Sequence, residues 1–316
     1  MFARLQSHAA RAALLAVLGS GLALPAAAQQ RDRDRDRDRD EDGLSIDTTF
    51  AFAADGSIDL TLVSGHITVT GWTRNEARVR AYVERGTLRR ELSSTRILLD
   101  VDGRRGRHGE SSYELSVPQG TRLIARTTSG DITVRSVNGD VEMHTTSGEL
   151  EATTLGGRAT LETVSGNIAA TSVRGDLGIE SVSGTIEVRE ANGEIQAETV
   201  SGRLRLRGVK SRAIRAETVS GEVDFEGTLD PAGRYDFDAH SGDIRLALAA
   251  DVGAQLSIET FSGTIDSDFP MTLQPNDRRR TGDRERRMDL TLGRGGARVR
   301  VETFSGNVTL ERTGTR

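Results

Sequence analysis

Apolar and polar residues alternate along most of this chain in short runs, and each run ends near a glycine. Gly130–Asn138 (Gly-Asp-Ile-Thr-Val-Arg-Ser-Val-Asn) and Gly184–Asn192 (Gly-Thr-Ile-Glu-Val-Arg-Glu-Ala-Asn) are two clean copies of a nine-residue unit. Alternation over about five positions is the period-two pattern of a strand with one buried face. Glycine accepts the positive φ that a sharp bend often needs. The pattern therefore predicts one strand and one corner in every unit.

The units come in pairs. A Ser-Gly step recurs every 18 residues, with its serine at Ser129, Ser147, Ser165, Ser183 and Ser201. Turn residues such as Asn138-Gly139 and Asn192-Gly193 fall halfway between these steps. A strict repeat of this kind predicts stacked coils with equivalent residues about 4.8 Å apart. We therefore expect an all-β, single-domain β-solenoid, similar to a β-helix or β-roll, with about two nine-residue units per coil.

The repeat becomes longer toward the end of the chain. The step from Ser201 to Ser220 is 19 residues, and the next two steps, to Ser241 and Ser262, are 21 each. The following step, from Ser262 to Ser305, is 43 residues long and contains a polar, arginine-rich stretch. Solenoids tolerate such additions as loops between strands. We predict a loop insertion at 270–287 and a last strand around 304–310.

The amino-terminal residues predict export. Arginines flank the start, residues 12–24 are apolar, and Ala26-Ala27-Ala28 fits a signal-peptidase site. The apolar stretch is shorter than the roughly 20 residues that span a bilayer. We expect a signal peptide at 1–28, a disordered Arg-Asp linker at 29–43 and an adhesin-like solenoid domain at 44–316. No transmembrane segment is expected in the mature chain.

Composition narrows the function classes. The net charge is −5, aromatic residues make up 4% of the chain, and there is no cysteine. A negative chain without a basic, aromatic face is not expected to bind nucleic acid. The lack of cysteine excludes disulfides, a cysteine nucleophile and a cysteine-ligated zinc site.

A ladder of charged residues follows the repeat. The residue three positions before each Ser-Gly serine is first Arg126 and His144. It is then acidic in seven coils, at Glu162, Glu180, Glu198, Glu217, Asp238, Glu259 and Glu302. Coils in register would place these acids in one column, where like charges repel. Two interpretations stay open: duplication of one coil, with arginines such as Arg215 neutralising the acids, or a linear acidic track that binds cationic polymers or peptides, or divalent ions.

The sequence contains no pattern typical of a calcium-binding β-roll, a histidine metal site or an acid–base catalytic pair. The corners lack the repeated aspartates of calcium-binding β-rolls, and the five histidines are not at metal-ligand spacing. General acid–base catalysis needs a few carboxylates with distinct environments, whereas these acids are repeated equivalents. No catalytic residue, metal site or cofactor is predicted.

Three motifs, taken together, resemble a known family. They are Ser-Gly-His-Ile-Thr-Val-Thr-Gly-Trp at 64–72, Tyr-Glu-Leu-Ser-Val-Pro at 113–118, and the tandem Thr-Val-Ser-Gly units. This order of motifs over residues 44–311 resembles the putative-adhesin family, a bacterial extracytoplasmic domain of unknown function. The resemblance implies an exported β-solenoid, sometimes tied to envelope-stress systems or surface attachment, and no established catalytic residues.

These observations predict a non-catalytic interaction module that is exported to the periplasm or cell surface. Its partner would be an envelope protein or polymer. The column of acids would favour binding of a cationic one. Two alternatives remain at this point: a carbohydrate-active enzyme of the β-helix kind, and a structural spacer.

Overall fold

A computed structural model describes residues 43–102, 109–270 and 286–313. These residues form an all-β, solenoid-like domain without helices. The strands, in chain order, are β1 (Leu44–Ala51), β2 (Ser57–Trp72), β3 (Glu76–Val83), β4 (Thr87–Leu92), β5 (Arg96–Asp102), β6 (Ser111–Pro118), β7 (Arg122–Arg135), β8 (Val141–Ser147), β9 (Leu150–Leu155), β10 (Ala159–Ser165), β11 (Ile168–Val173), β12 (Leu177–Arg189), β13 (Ile195–Val209), β14 (Ala213–Gly227), β15 (Arg234–Ser241), β16 (Ile244–Ala249), β17 (Ala254–Ser262), β18 (Ile265–Ser267), β19 (Arg286–Leu292), β20 (Ala297–Ser305) and β21 (Val308–Thr313).

Each coil contributes one strand to each of two layers. Layer 1 holds the strands that precede a Ser-Gly corner, and layer 2 holds those that follow it. In β2, β7, β12, β13 and β14 a single long strand passes through the Ser-Gly corner and contributes to both layers. Other coils divide into pairs such as β8 and β9 or β10 and β11.

Neighbouring coils pair in parallel and in register. Ser147 lies beside Ser165, which lies beside Ser183, and Ser183 lies beside Ser201. The offset is the 18-residue spacing seen in the sequence, because each coil repeats the same sequence of strand and corner. The predicted alignment of these serines along one edge is therefore confirmed.

The core lies between the two layers. Alternate side chains of each strand point inward and are buried, as Leu177 and Ile179 are in layer 1 and Ile186 and Val188 in layer 2. Larger rings, among them Phe225, fill the later coils, where its ring centroid is 5.3 Å from that of Phe237. Period-two burial on both layers explains why the alternation in the sequence is so regular.

Antiparallel strands cover both ends of the parallel stack. At the first end, β3 pairs with β1 and β6, and β4 pairs with β5. At the other end, β19 pairs with β17. These strands occupy hydrogen-bonding edges that would otherwise be open.

The spatial order of the last coils differs from their order in the sequence. β20 pairs with β15 on one side and with β17 on the other, and β21 likewise lies between β16 and β18. The final coil is thus inserted between two earlier ones, and the last strand predicted around 304–310 lies inside the stack. The insertion leaves the outer edge of β17 available to β19.

The predicted insertion at 270–287 falls mostly on 271–285, which lies outside the described residues. Its last two residues, Arg286 and Arg287, belong to β19 rather than to a loop. The predicted signal peptide (1–28) and linker (29–43) also lie outside the described residues, apart from Gly43.

Candidate binding face

The pairing register brings the seven predicted acids together. Along layer 1 each lies directly beside the next, in the spatial order Glu162, Glu180, Glu198, Glu217, Asp238, Glu302, Glu259. Because the final coil is inserted, Glu302 precedes Glu259 in space. Their side chains point outward, since the residues on either side of each acid in the strand are buried. We call this set the acidic column.

Cationic or ionisable side chains flank the acidic column at its two ends. His144 pairs with Glu162 and Arg126 with His144, while Arg287 pairs with Glu259. The imidazole Nδ1 of His144 lies 2.9 Å from Oε2 of Glu162. Arg287 Nη1 lies 3.0 Å from Glu259 Oε1. A histidine therefore adjoins one end of the acidic column, and an arginine adjoins the other.

Arginines two residues away on the same strand neutralise part of the column. Arg215 forms an ion pair with Glu217, and Arg300 donates hydrogen bonds to Glu302. This agrees with the neutralisation expected at Arg215. Within the described part of the chain, however, the carboxylates of Glu180 and Asp238 have no salt bridge or hydrogen bond.

Burial and repulsion between neighbouring carboxylates raise the pKa values of two acids in the column. Partial burial, followed by the neighbouring charges of Glu162 and Glu198, raises the pKa of the Glu180 carboxyl. Burial, then Glu302 and Glu217, raises the pKa of Asp238 to about 6, against a smaller opposing effect of Arg300. Ionisation of these two carboxyls is therefore less favourable than for an ordinary carboxyl, and a cation placed beside them would offset that cost.

An exposed apolar column runs beside the acidic one. It holds the residue immediately before each Ser-Gly serine, which lies two positions after the acid and therefore on the same face of layer 1. Its members, in spatial order, are Val164, Val182, Val200, Val219, His240, Phe304 and Phe261. The four valines and two phenylalanines are 40 to 50% exposed. This column was not predicted from the sequence, although the Thr-Val-Ser-Gly repeat contains it. The available signal was an apolar residue two positions after the acid, on the outward-facing side of the strand.

The rings of this apolar column stack on one another. The Phe304 ring lies between those of His240 and Phe261, with centroids 5.1 and 4.8 Å away and planes within 7° and 3° of parallel. Stacked rings come from coils that are neighbours in space, as the inserted final coil requires.

A shallow groove at the far end of layer 1 tests the enzyme alternative. Its volume is about 580 Å³, and its charged lining consists of Arg234, Asp236, Arg287, Asp289, Arg298 and Arg300. The lining residues include no aromatic side chain that could support a sugar ring. Its two acids are Asp236, paired with Arg234, and Asp289, which lies 3.4 Å from Arg287. The groove therefore places no aromatic ring beside its two carboxylates, both of which lie near arginines.

Within 43–102, 109–270 and 286–313, no group of three or more histidine, aspartate or glutamate side chains is placed to hold a metal ion. In the same ranges, no helix has the length and apolar character needed to cross a membrane.

Three solved structures that this chain matches come from bacteria. A putative lipid binding protein from Parabacteroides distasonis is 11% identical, with 84% of this chain and 96% of that chain covered and a TM-score of 0.42. A putative adhesin from the same organism is 11% identical, covers 86% and 98%, and has a TM-score of 0.36. A putative cell adhesion protein from Clostridium sporogenes is 9% identical, covers 85% and 100%, and has a TM-score of 0.22. Curated proteins gave no match.

A family model supplies the assignment. The Toastrack DUF4097 model matches residues 64–311, well over half of the sequence, and its span includes the motifs that carried the resemblance to the putative-adhesin family. That resemblance is confirmed, and the chain belongs to the Toastrack DUF4097 family.

Proposed function

We propose that this protein is an exported, non-catalytic interaction module of the cell envelope or cell surface, adhesin-like in action. In this proposal residues 1–28 are a signal peptide, 29–43 a linker and 44–316 the binding domain. The domain presents repeated side chains in columns, so that many weak contacts add up to useful avidity. The neighbours reported above carry names of adhesion or lipid-binding proteins, and none is named as an enzyme.

The observation that carries the proposal is the acidic column. Seven carboxylates lie side by side on one outer face, and two of them, Glu180 and Asp238, have pKa values raised in part by their neighbours. Each exposed like-charge pair costs a few tenths of a kcal/mol. A cationic polymer or peptide lying along the column would replace that repulsion with attraction. We therefore propose a cationic envelope partner.

We also infer that the coil is made of two nine-residue units. Two kinds of corner recur with the coil and support this inference. One is the Ser-Gly corner, represented by Gly184 at φ 138°. The other, nine residues from the first, holds Gly139, Gly157, Gly175 and Gly193, where an added Cβ would lie within 2.6 Å of a backbone oxygen of the neighbouring coil. Each of these glycines comes three residues after a non-glycine residue of positive φ: Ser136, Thr154, Ser172 and Glu190.

The experiment measures binding of polylysine at low and at high salt. The wild-type chain should bind at low salt and release the polymer as salt rises, because exposed charges are screened. Replacing Glu180, Glu198 and Glu217 together by Gln should abolish binding without destabilising the fold, since it removes repulsion. Glu151, Glu187 and Glu226 in layer 2, changed to Gln together, provide the matched control.

The outcome separates this proposal from its alternatives. Equal polylysine binding by the two triple variants would reject the acidic column as the site. A wild-type chain that binds no cationic polymer at any salt concentration would favour the structural spacer, in which the repeated acids result from duplication alone. Hydrolysis of a polysaccharide would favour the enzyme alternative.

A further inference from the structure

The apolar column exposes large apolar side chains to water, which is unfavourable. Its four valines and two phenylalanines are 40 to 50% exposed and form one continuous row with His240. Single exposed apolar residues are common, but a continuous exposed row marks an interaction site. A polar residue at these positions is compatible with the strands, because the two preceding coils carry Thr128 and Thr146 there. The row therefore needs an explanation beyond the fold.

We propose that the apolar column is the docking surface for an amphipathic α-helix that carries basic residues along one side. The inference rests on the proposed cationic partner and specifies its form. The acidic column runs parallel to the apolar column, two residues away on the same face. A helix whose apolar stripe covers the valines would place its flanking lysines or arginines over Glu180, Glu198 and their neighbours.

Spacing favours a helix over an extended segment. Adjacent coils are about 4.8 Å apart, while residues three or four apart on a helix advance about 4.5 to 6 Å. Successive residues of one helical stripe can therefore meet successive coils. Side chains on one side of an extended strand repeat at about 6.8 Å and would lose register.

The length of the apolar column sets the length of the helix. From Val164 to Phe261 the row crosses seven coils, six steps of about 4.8 Å, or roughly 29 Å. A helix of about 19 residues covers that distance.

Electrostatic repulsion disfavours two other occupants of the apolar column. A second copy of this chain would bring seven more acids to the face, and an anionic membrane surface would be repelled by the acidic column.

The test uses peptides of about 19 residues and the purified chain. One peptide has an apolar stripe flanked by lysines, and a second has the same lysines with the stripe changed to serine. The chain is wild type or carries Val164→Thr, Val182→Thr, Val200→Thr and Val219→Thr, which keep β-branching and the acidic column. A control variant changes two exposed apolar residues of the amino-terminal strands, Leu44→Thr and Tyr82→Thr.

We expect the amphipathic peptide to become helical on binding, and its affinity for the four-valine variant to fall about tenfold or more, equivalent to about 1.4 kcal/mol. The control variant should bind like wild type, and polylysine should bind all three chains alike. If the amphipathic peptide binds no tighter than the serine peptide, or if the valine changes leave its affinity unaltered, the inference is overturned even where polylysine binding stands. Binding of zwitterionic vesicles, or dimerisation, that is lost in the four-valine variant would also overturn the choice of a helix as occupant.

Discussion

At the scale of single residues, Asp238 shows what the acidic column costs the fold. Its carboxyl lies between Glu217 and Glu302 on neighbouring strands, with Asp236 and Arg300 close by. Partial burial and these like charges raise its pKa to about 6, above the ordinary value of 3.8 for an aspartate. A carboxyl whose pKa is higher in the folded state binds more protons when folded. Its ionised form therefore opposes folding.

This predicts a pH dependence with a definite sign. Between about pH 4 and pH 6, the contribution of Asp238 to the free energy of unfolding should decrease as pH rises, because the folded state must give up its extra proton. Asp238→Asn should raise the free energy of unfolding at pH 7 by about 1 to 2 kcal/mol, a value reduced for partial exposure. Denaturant unfolding of both chains from pH 4 to pH 7 checks this. A gain for Asp238→Asn that stays constant over that range would contradict the interpretation.

At the scale of strands and corners, two glycines of β12 have opposite roles. Gly184 forms the corner at φ 138°, where an added Cβ would overlap the carbonyl oxygen of Gly166 in the neighbouring coil. Gly178 lies inside the strand, next to the buried Leu177 and Ile179, and its nearest neighbour to an added Cβ is the Ala159 carbonyl oxygen at 4.0 Å. Only the first glycine is required by the backbone.

Substitutions at these two glycines should therefore change stability in opposite directions. Gly178→Val should raise the free energy of unfolding by about 0.5 to 1 kcal/mol, because a β-branched residue replaces a flexible one within a strand. Gly184→Ala, the matched control, should lower it through backbone strain and the clash with Gly166. Thermal and denaturant unfolding of both variants measure the two effects. A loss of stability for Gly178→Val would show that the strand interior needs glycine there.

The sequence predicts some elements better than others, for physical reasons. Strands such as β10 and β12 follow from alternation and spacing, because each coil pairs with a copy of itself. The antiparallel end strands β1, β4 and β19 do not follow, since their partners are chosen by which edges the stack leaves open. Equivalent positions predict one column of acids. The column that contains Val182 and Phe304 was not predicted, because alternation indicates polar residues at outward-facing positions of a strand.

At the scale of the whole molecule, register and coil order produce the binding face. Parallel pairing in register turns a repeated residue into a column, both for the acids and for the apolar row. The inserted final coil extends both columns without a break, placing Glu302 beside Asp238 and Phe304 beside His240. The spacing of Ser-Gly steps could not reveal this order, because a 43-residue gap from Ser262 to Ser305 fits a loop as well as a returning strand.

Disulfide cross-linking tests this stacking directly, and the absence of native cysteine makes the result unambiguous. Ser241 pairs with Ser305, and Ser305 with Ser262, so one strand separates Ser241 from Ser262. Neighbouring strands lie about 4.8 Å apart, within reach of a disulfide, whereas two strand spacings, about 9.6 Å, are not. Upon mild oxidation, a chain with Ser241→Cys and Ser305→Cys should cross-link, as should the Ser183→Cys and Ser201→Cys control. A chain with Ser241→Cys and Ser262→Cys should remain reduced; its rapid cross-linking, or failure of the other two pairs, would contradict the in-register stack and the binding face built on it.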